Sequence, residues 1–125
     1  MEHAPKLEAP DTGSLRGDLM ALASVMAQRL RTGRWSSALP SIIDAAERDR
    51  VIAELQTLQH KGMMAAFDIV AARARRRNEL RADIESSELT AAIAGPLFYR
   101  RWFSRQKLDD RFVKRVVDGA LRGGG

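Results

Sequence analysis

The chain reads as an all-α protein of about five helices, on three observations. Apolar residues recur three and four positions apart, as in Leu15, Leu19, Leu22, Met26 and Leu30, the spacing that lines one face of a helix. No stretch sustains the alternation of a half-buried strand, and no Asn-Gly or Asp-Gly pair offers a hairpin turn. Capping oxygens and glycines fall at intervals that punctuate helices.

At 125 residues the chain is one domain, large enough to bury a core without covalent staples. It has no cysteine, which excludes disulfides and thiolate metal sites and fits a reducing compartment. No apolar run approaches the roughly 20 residues of a membrane span. The first ten residues, MEHAPKLEAP, are too polar and proline-broken for a signal peptide. The cytoplasm is the expected location. Lysine and arginine number 21 against 16 acids, a net +5. The cations are interspersed with acids, so a solvated helical surface accounts for them better than nucleic-acid binding does.

Residues 1–10 are expected to be a linker or disordered end, since two prolines and alternating charges leave little to pack. Asp11 and Thr12 offer cap oxygens before an amphipathic helix over residues 14–31. Gly33 is expected to stop that helix through positive φ. Residues 34–39 read as a loop carrying Trp35. Pro40 suits a first helical position, followed by a short helix over 41–47. Asp49 caps the longest helix, residues 50–77, with Ile52, Leu55, Leu58, Met63, Ala66, Phe67 and Val70 inward. Gly62 interrupts it at a cost of about 1 kcal/mol relative to alanine. Either the helix kinks there or something approaches its backbone closely. Asn78 suits a left-handed stop, and Arg73, Arg75, Arg76 and Arg77 complement the helix dipole.

After a connection over 80–84, Glu85 or Ser86 caps a helix running to about residue 105. Pro96 should bend it, with Gly95 easing the bend. A break at 105–108 precedes a last helix over 109–121. In the helix before the break, Gly95, Phe98, Tyr99, Trp102 and Phe103 share one broad arc, and Leu89, Ile93 and Leu97 share another. The last helix gathers Phe112, Val113, Val116, Val117 and Leu121 on one half. That is more apolar circumference than one neighbouring helix covers. Left in water it exceeds what soluble monomers tolerate. The expected partner is a second copy, in an isologous bundle.

Catalytic constellations are not found. The histidines are His3 and His60, too few without cysteine for a zinc site of the usual kind. No serine sits in a nucleophile elbow, and no glycine-rich phosphate loop is present. Asp109 and Asp110 are explained as helix-start residues. The reading is a non-enzyme without cofactor or metal. Methionines at 20, 26, 63 and 64 stand on alanine-rich helices, and methionine adapts to irregular gaps and guests. An apolar pocket between helices follows, bounded by Leu22, Met26, Trp35, Leu39, Ile43 and Leu55. Met63, Phe67, Ile93 and Leu97 complete its wall, with Gln59 and His60 as polar handles. Ordinary core packing accounts for the same residues.

Four segments, DTGSLRGDL at 11–19, RRRNELRADI at 75–84, AGPLFYRR at 94–101 and LDDRFVKRVVDGALR at 108–122, together resemble the C-terminal domain of tetracycline-repressor (TetR) family transcriptional regulators. Order and spacing match over roughly residues 10–122. Asn78 stands where such turns usually carry glycine, and Glu85–Ser86 where they often carry Asp-Pro. The resemblance implies an effector-binding and dimerisation domain over residues 11–122, followed by a tail at 123–125. It also implies a homodimer whose last two helices form a four-helix bundle with the partner's, and a small apolar or aromatic effector. Operator DNA is then reached only through a helix-turn-helix domain, which no segment before Asp11 supplies. The alternative is a stand-alone helical dimeric interaction module with no ligand.

Overall fold

The computed structural model describes residues 7–124. What the sequence predicts for residues 1–6 and for Gly125 lies outside them. The elements are α1 (Leu15–Thr32), α2 (Arg34–Ala46), α3 (Arg50–Arg76), α4 (Ser86–Phe98) continued by a π-helical turn (Tyr99–Ser104), and α5 (Asp110–Gly124). The described residues contain no strand.

Helix α1 is the axis of the domain and packs against all four other α-helices. Its buried residues Leu15, Leu19, Leu22, Ala23, Met26, Ala27 and Leu30 follow the three-and-four spacing. The cap is Ser14, whose Oγ accepts the N–H of Gly17 at 3.0 Å, rather than Asp11 or Thr12. Thr12 is used otherwise: its N–H and its hydroxyl both donate to buried Asp18, at 2.8 and 2.7 Å. Leu7, 6% exposed, packs on the core. The segment just before α1 is therefore docked, because one leucine can bury itself even where prolines forbid a helix.

Gly33 does end α1, but with φ −80° and ψ 138°, an extended geometry open to any residue. Glycine is required there for space, since a Cβ would lie 2.6 Å from the carbonyl oxygen of Arg29. The expected loop at 34–39 is the first half of α2, and Pro40 lies inside that helix. Buried Ser36 makes this start possible. Its hydroxyl lies 3.0 Å from the carbonyls of both Leu30 and Gly33, covering acceptors that the end of α1 leaves open.

Helix α3 starts at Asp49, whose carboxylate accepts the N–H groups of Val51 and Ile52. It ends as the sequence indicates, with Asn78 at φ 61°. The Glu79 N–H reaches the Ala74 carbonyl and the Asn78 N–H that of Arg75, the paired bonds of a Schellman stop. Beyond Pro96, which has no N–H to donate, the ladder of the fourth helix widens into the π-helical turn. Arg105 closes it at φ 54°. Asp109 then caps α5 by accepting the N–H of Phe112 at 2.9 Å. The core lies where α1, the second half of α3, α4 and α5 meet, around Leu19, Phe67, Ile93, Leu97 and Val117, each fully buried.

Candidate functional site

A cavity of about 340 Å³ opens between α1, α2 and the middle of α3. Met26, Arg29 and Leu30 come from α1, and Trp35, Leu39 and Ile43 from α2. Gln56, Gln59, His60, Gly62 and Met63 come from α3, while Leu7 and Phe98 close the ends. The walls are mostly apolar, and the polar groups sit on Arg29, Gln56, Gln59 and His60.

The local sequence explains this arrangement. Gln56, Gln59, His60 and Met63 are spaced three, four and seven apart, so one face of α3 turns inward. Gly62 stands beside that face with nothing within 4 Å of where a Cβ would be. Gly62 therefore lines the cavity with backbone alone. Pinning of Ser36 onto the end of α1 sets the start of α2 and with it Trp35, half-buried against the core.

Of the residues the sequence nominated, the cavity collects Met26, Trp35, Leu39, Ile43, Gln59, His60 and Met63. Five lie elsewhere. Leu22, Phe67, Ile93 and Leu97 are at most 1% exposed and belong to the solid core. Leu55 is 47% exposed, because it stands about a quarter-turn around α3 from the inward face. The sequence reading missed Leu7, Arg29, Leu30, Gln56, Gly62 and Phe98. Gln56 was recoverable, since it lies three and four positions before Gln59 and His60.

The nominated partner-facing residues also divide. Gly95, Tyr99 and Phe103 lie on the surface, the last two 59% and 77% exposed, with their rings stacked at 5.8 Å. Trp102, Phe112 and Leu121 are half-buried. Phe98 turns to the cavity while pairing with Trp102 at 5.1 Å. Val113, Val116 and Val117 are buried in the chain's own core, because α5 packs against both α1 and α4. Their side chains are not available to a partner.

Three of the four arginines at the end of α3 are used internally, and Arg76 is exposed. Arg73 donates to the Pro10 carbonyl at 3.0 Å, Arg75 to the Ile84 carbonyl, and Arg77 to Glu79 at 2.9 Å. These bonds tie the segment before α1 and the connection after α3 to the end of α3, in keeping with a structural role.

Comparison with known proteins agrees with this architecture. Residues 9–120 match the family model described as "Tetracyclin repressor-like, C-terminal domain". The chain is 28% identical to the "Uncharacterized HTH-type transcriptional regulator YdeS" of Bacillus subtilis (strain 168), over 94% of this chain and 60% of that protein. It is similar to the crystal structure of the TetR family transcription regulator SCO0332, with a TM-score of 0.80 and 28% identity, over 94% of this chain and 65% of that one. It thus spans less than two thirds of the length of both relatives. With a matching family model over nearly its whole length and the five-helix architecture in place, the chain belongs to the tetracycline-repressor family as a C-terminal domain of that class.

Proposed function

We propose that this chain senses a small apolar or aromatic effector and dimerises, as the regulatory domain of a transcriptional regulator. The observation that carries the reading is the cavity. Its volume of about 340 Å³ falls within the roughly 300–1,000 Å³ of small-molecule sites, and apolar walls with a few polar handles are their usual make-up. Operator contacts would be made by a helix-turn-helix domain supplied with this one, in the cytoplasm, and not by the helices described.

Adjacent residues suggest the coupling. Phe98 lines the cavity, and Tyr99 stands on the exposed aromatic face. A molecule that fills the cavity presses on the segment whose outer side carries Gly95, Tyr99 and Phe103, the face proposed for the second copy. Occupancy then favours one arrangement of the dimer over another, to the extent that the ligand binds the two with different affinity.

A thermal-shift screen with apolar and aromatic compounds tests the proposal. The expected result is a concentration-dependent rise in Tm for a subset of compounds, diminished by Leu39→Ala, which removes an apolar side chain from the cavity wall. Unchanged melting across a chemically broad panel would remove the ligand-binding half of the reading.

A further inference from the structure

A second depression, open and about 650 Å³ in volume, lies where the C-terminal end of α1 meets the π-helical turn and the loop leading to α5. Arg31, Arg100, Arg101, Arg105 and Lys107 converge on it, against the carboxylates of Asp109 and Asp110. Three of the cations are fixed by backbone carbonyls. Arg31 donates to Leu108, Arg100 to Lys107 at 3.0 Å, and Arg101 to Leu30 at 3.0 Å. A carbonyl holds a guanidinium in place without cancelling its charge. Each of these arginines spends one donor of its five on the bond, and Arg100 also lays its guanidinium over the Phe112 ring at 3.5 Å, so in-plane N–H groups remain for another acceptor.

The remaining two cations have no such anchoring role. Among the described residues no carboxylate lies within 4 Å of Arg105 or Lys107, and neither side chain makes a hydrogen bond. Arg105 also occupies a left-handed position, φ 54°, where glycine or asparagine would sit with less strain. Five cations against two carboxylates leave this concavity with an excess of positive charge, which a multiply charged anion offsets. Planar guanidinium forks suit phosphate oxygens in particular.

We propose that this basin binds a small multivalent phosphate, either inorganic pyrophosphate or the phosphate chain of a nucleotide. A compact anion fits better than duplex DNA, whose phosphates are read along an extended basic track. Here five cations and the two carboxylates of Asp109 and Asp110 line one hollow. The site is separate from the apolar cavity, although Leu30 contributes to the wall of both.

The test is isothermal titration calorimetry of the whole chain at physiological ionic strength, with pyrophosphate and with ATP. One site per chain is expected for pyrophosphate. The double variant Arg105→Gln/Lys107→Gln should weaken it by about tenfold or more, as two lost charge-assisted contacts imply. Asp110→Asn, which removes a repelling carboxylate, should tighten it by a few-fold, and Arg76→Gln at the far end of α3 should leave it unchanged. Circular dichroism verifies that each variant is folded. ATP binding more tightly than pyrophosphate assigns the nucleotide, and equal binding assigns the phosphate chain alone. Absence of heat with pyrophosphate overturns the proposal. So does equal binding by the double variant, or binding confined to duplex DNA or anionic lipid vesicles.

Discussion

Glu79 accepts a hydrogen bond from the backbone N–H of Leu15, tying the turn that ends α3 to the first residue of α1. Its other oxygen takes the Nε–H of Arg77 at 2.9 Å. Arg77 first, and the Leu15 N–H second, hold the Glu79 carboxyl below its ordinary range. Asp118 of α5 is lowered in the same way, chiefly by Arg16 of α1. A carboxylate whose pKa is lower in the folded state contributes stability above its unfolded pKa and loses it as pH falls through the folded value. Urea midpoints should therefore hold near neutrality and decline once pH drops below the usual carboxylate range. Glu79→Gln should lower the neutral midpoint and make that acid decline shallower. An identical pH profile for the variant would show that the two contacts contribute nothing net.

The two glycines that bracket α2 and the first half of α3 respond oppositely to the same substitution. At Gly33 a methyl group meets the Arg29 carbonyl at 2.6 Å, so Gly33→Ala should cost about 1–3 kcal/mol, the usual range for forced overpacking. At Gly62 it meets nothing, so Gly62→Ala should be neutral or stabilise by up to about 1 kcal/mol through helix propensity. Equilibrium unfolding of both variants settles the contrast. Equal destabilisation of the two would contradict the geometry.

Phe67 and Met63 lie one turn apart on α3 and separate core from cavity. Phe67 has no exposure, and Phe67→Ala should lose about 3–5 kcal/mol, as large-to-small changes in packed cores do. Met63 already borders empty volume, so Met63→Ala should cost less while altering affinity for any compound found by thermal shift. A larger loss at Met63 than at Phe67 would reverse the assignment.

The exposed aromatic pair makes the oligomeric state testable. Phe103→Glu should leave the helical content intact and shift sedimentation from dimer to monomer at micromolar concentration. Val117→Glu buries a charge inside the chain's own core and should unfold it, while Lys114→Glu on the solvated face should do neither. A wild-type chain that sediments as a folded monomer at high concentration would refute the dimer.

Helix positions were legible where the information is local. The Asp49 cap, the Asn78 stop and the periodic leucines of α1 each depend on residues within a few positions of one another. The start of α2 was not, because it depends on Ser36 reaching the carbonyls of Leu30 and Gly33 across a joint. Gly33 gave the right boundary for a different reason, since steric room and positive φ ask for the same residue. Among the site residues, period and side-chain type fixed which face of α3 turns inward. They could not separate a void from packed core, so Phe67, Ile93 and Leu97 read as pocket wall. Nor could they say which half of an apolar helix its own chain covers, and this misplaced Val113 and Val117. Leu7 and Phe98 reach the cavity from distant segments, a relation absent from any sequence window.

All the buried residues of α3 follow Gly62: Ala66, Phe67, Val70, Ala71 and Ala74. The preceding half carries none, although the helix runs unbroken for 27 residues. Its amides are thus protected by intrahelical bonds and by packing against α2, but without a fully buried side chain behind them, and their hydrogen exchange should proceed by local opening at a fraction of the global unfolding free energy. A molecule in the cavity touches Gln56, Gln59 and His60 on that weak half and Met63 beyond it. It would supply from outside the apolar backing that this half lacks, and binding free energy would be converted into amide protection there. Occupancy would accordingly be written along a single helix, as a rise in protection before Gly62 with little change after it.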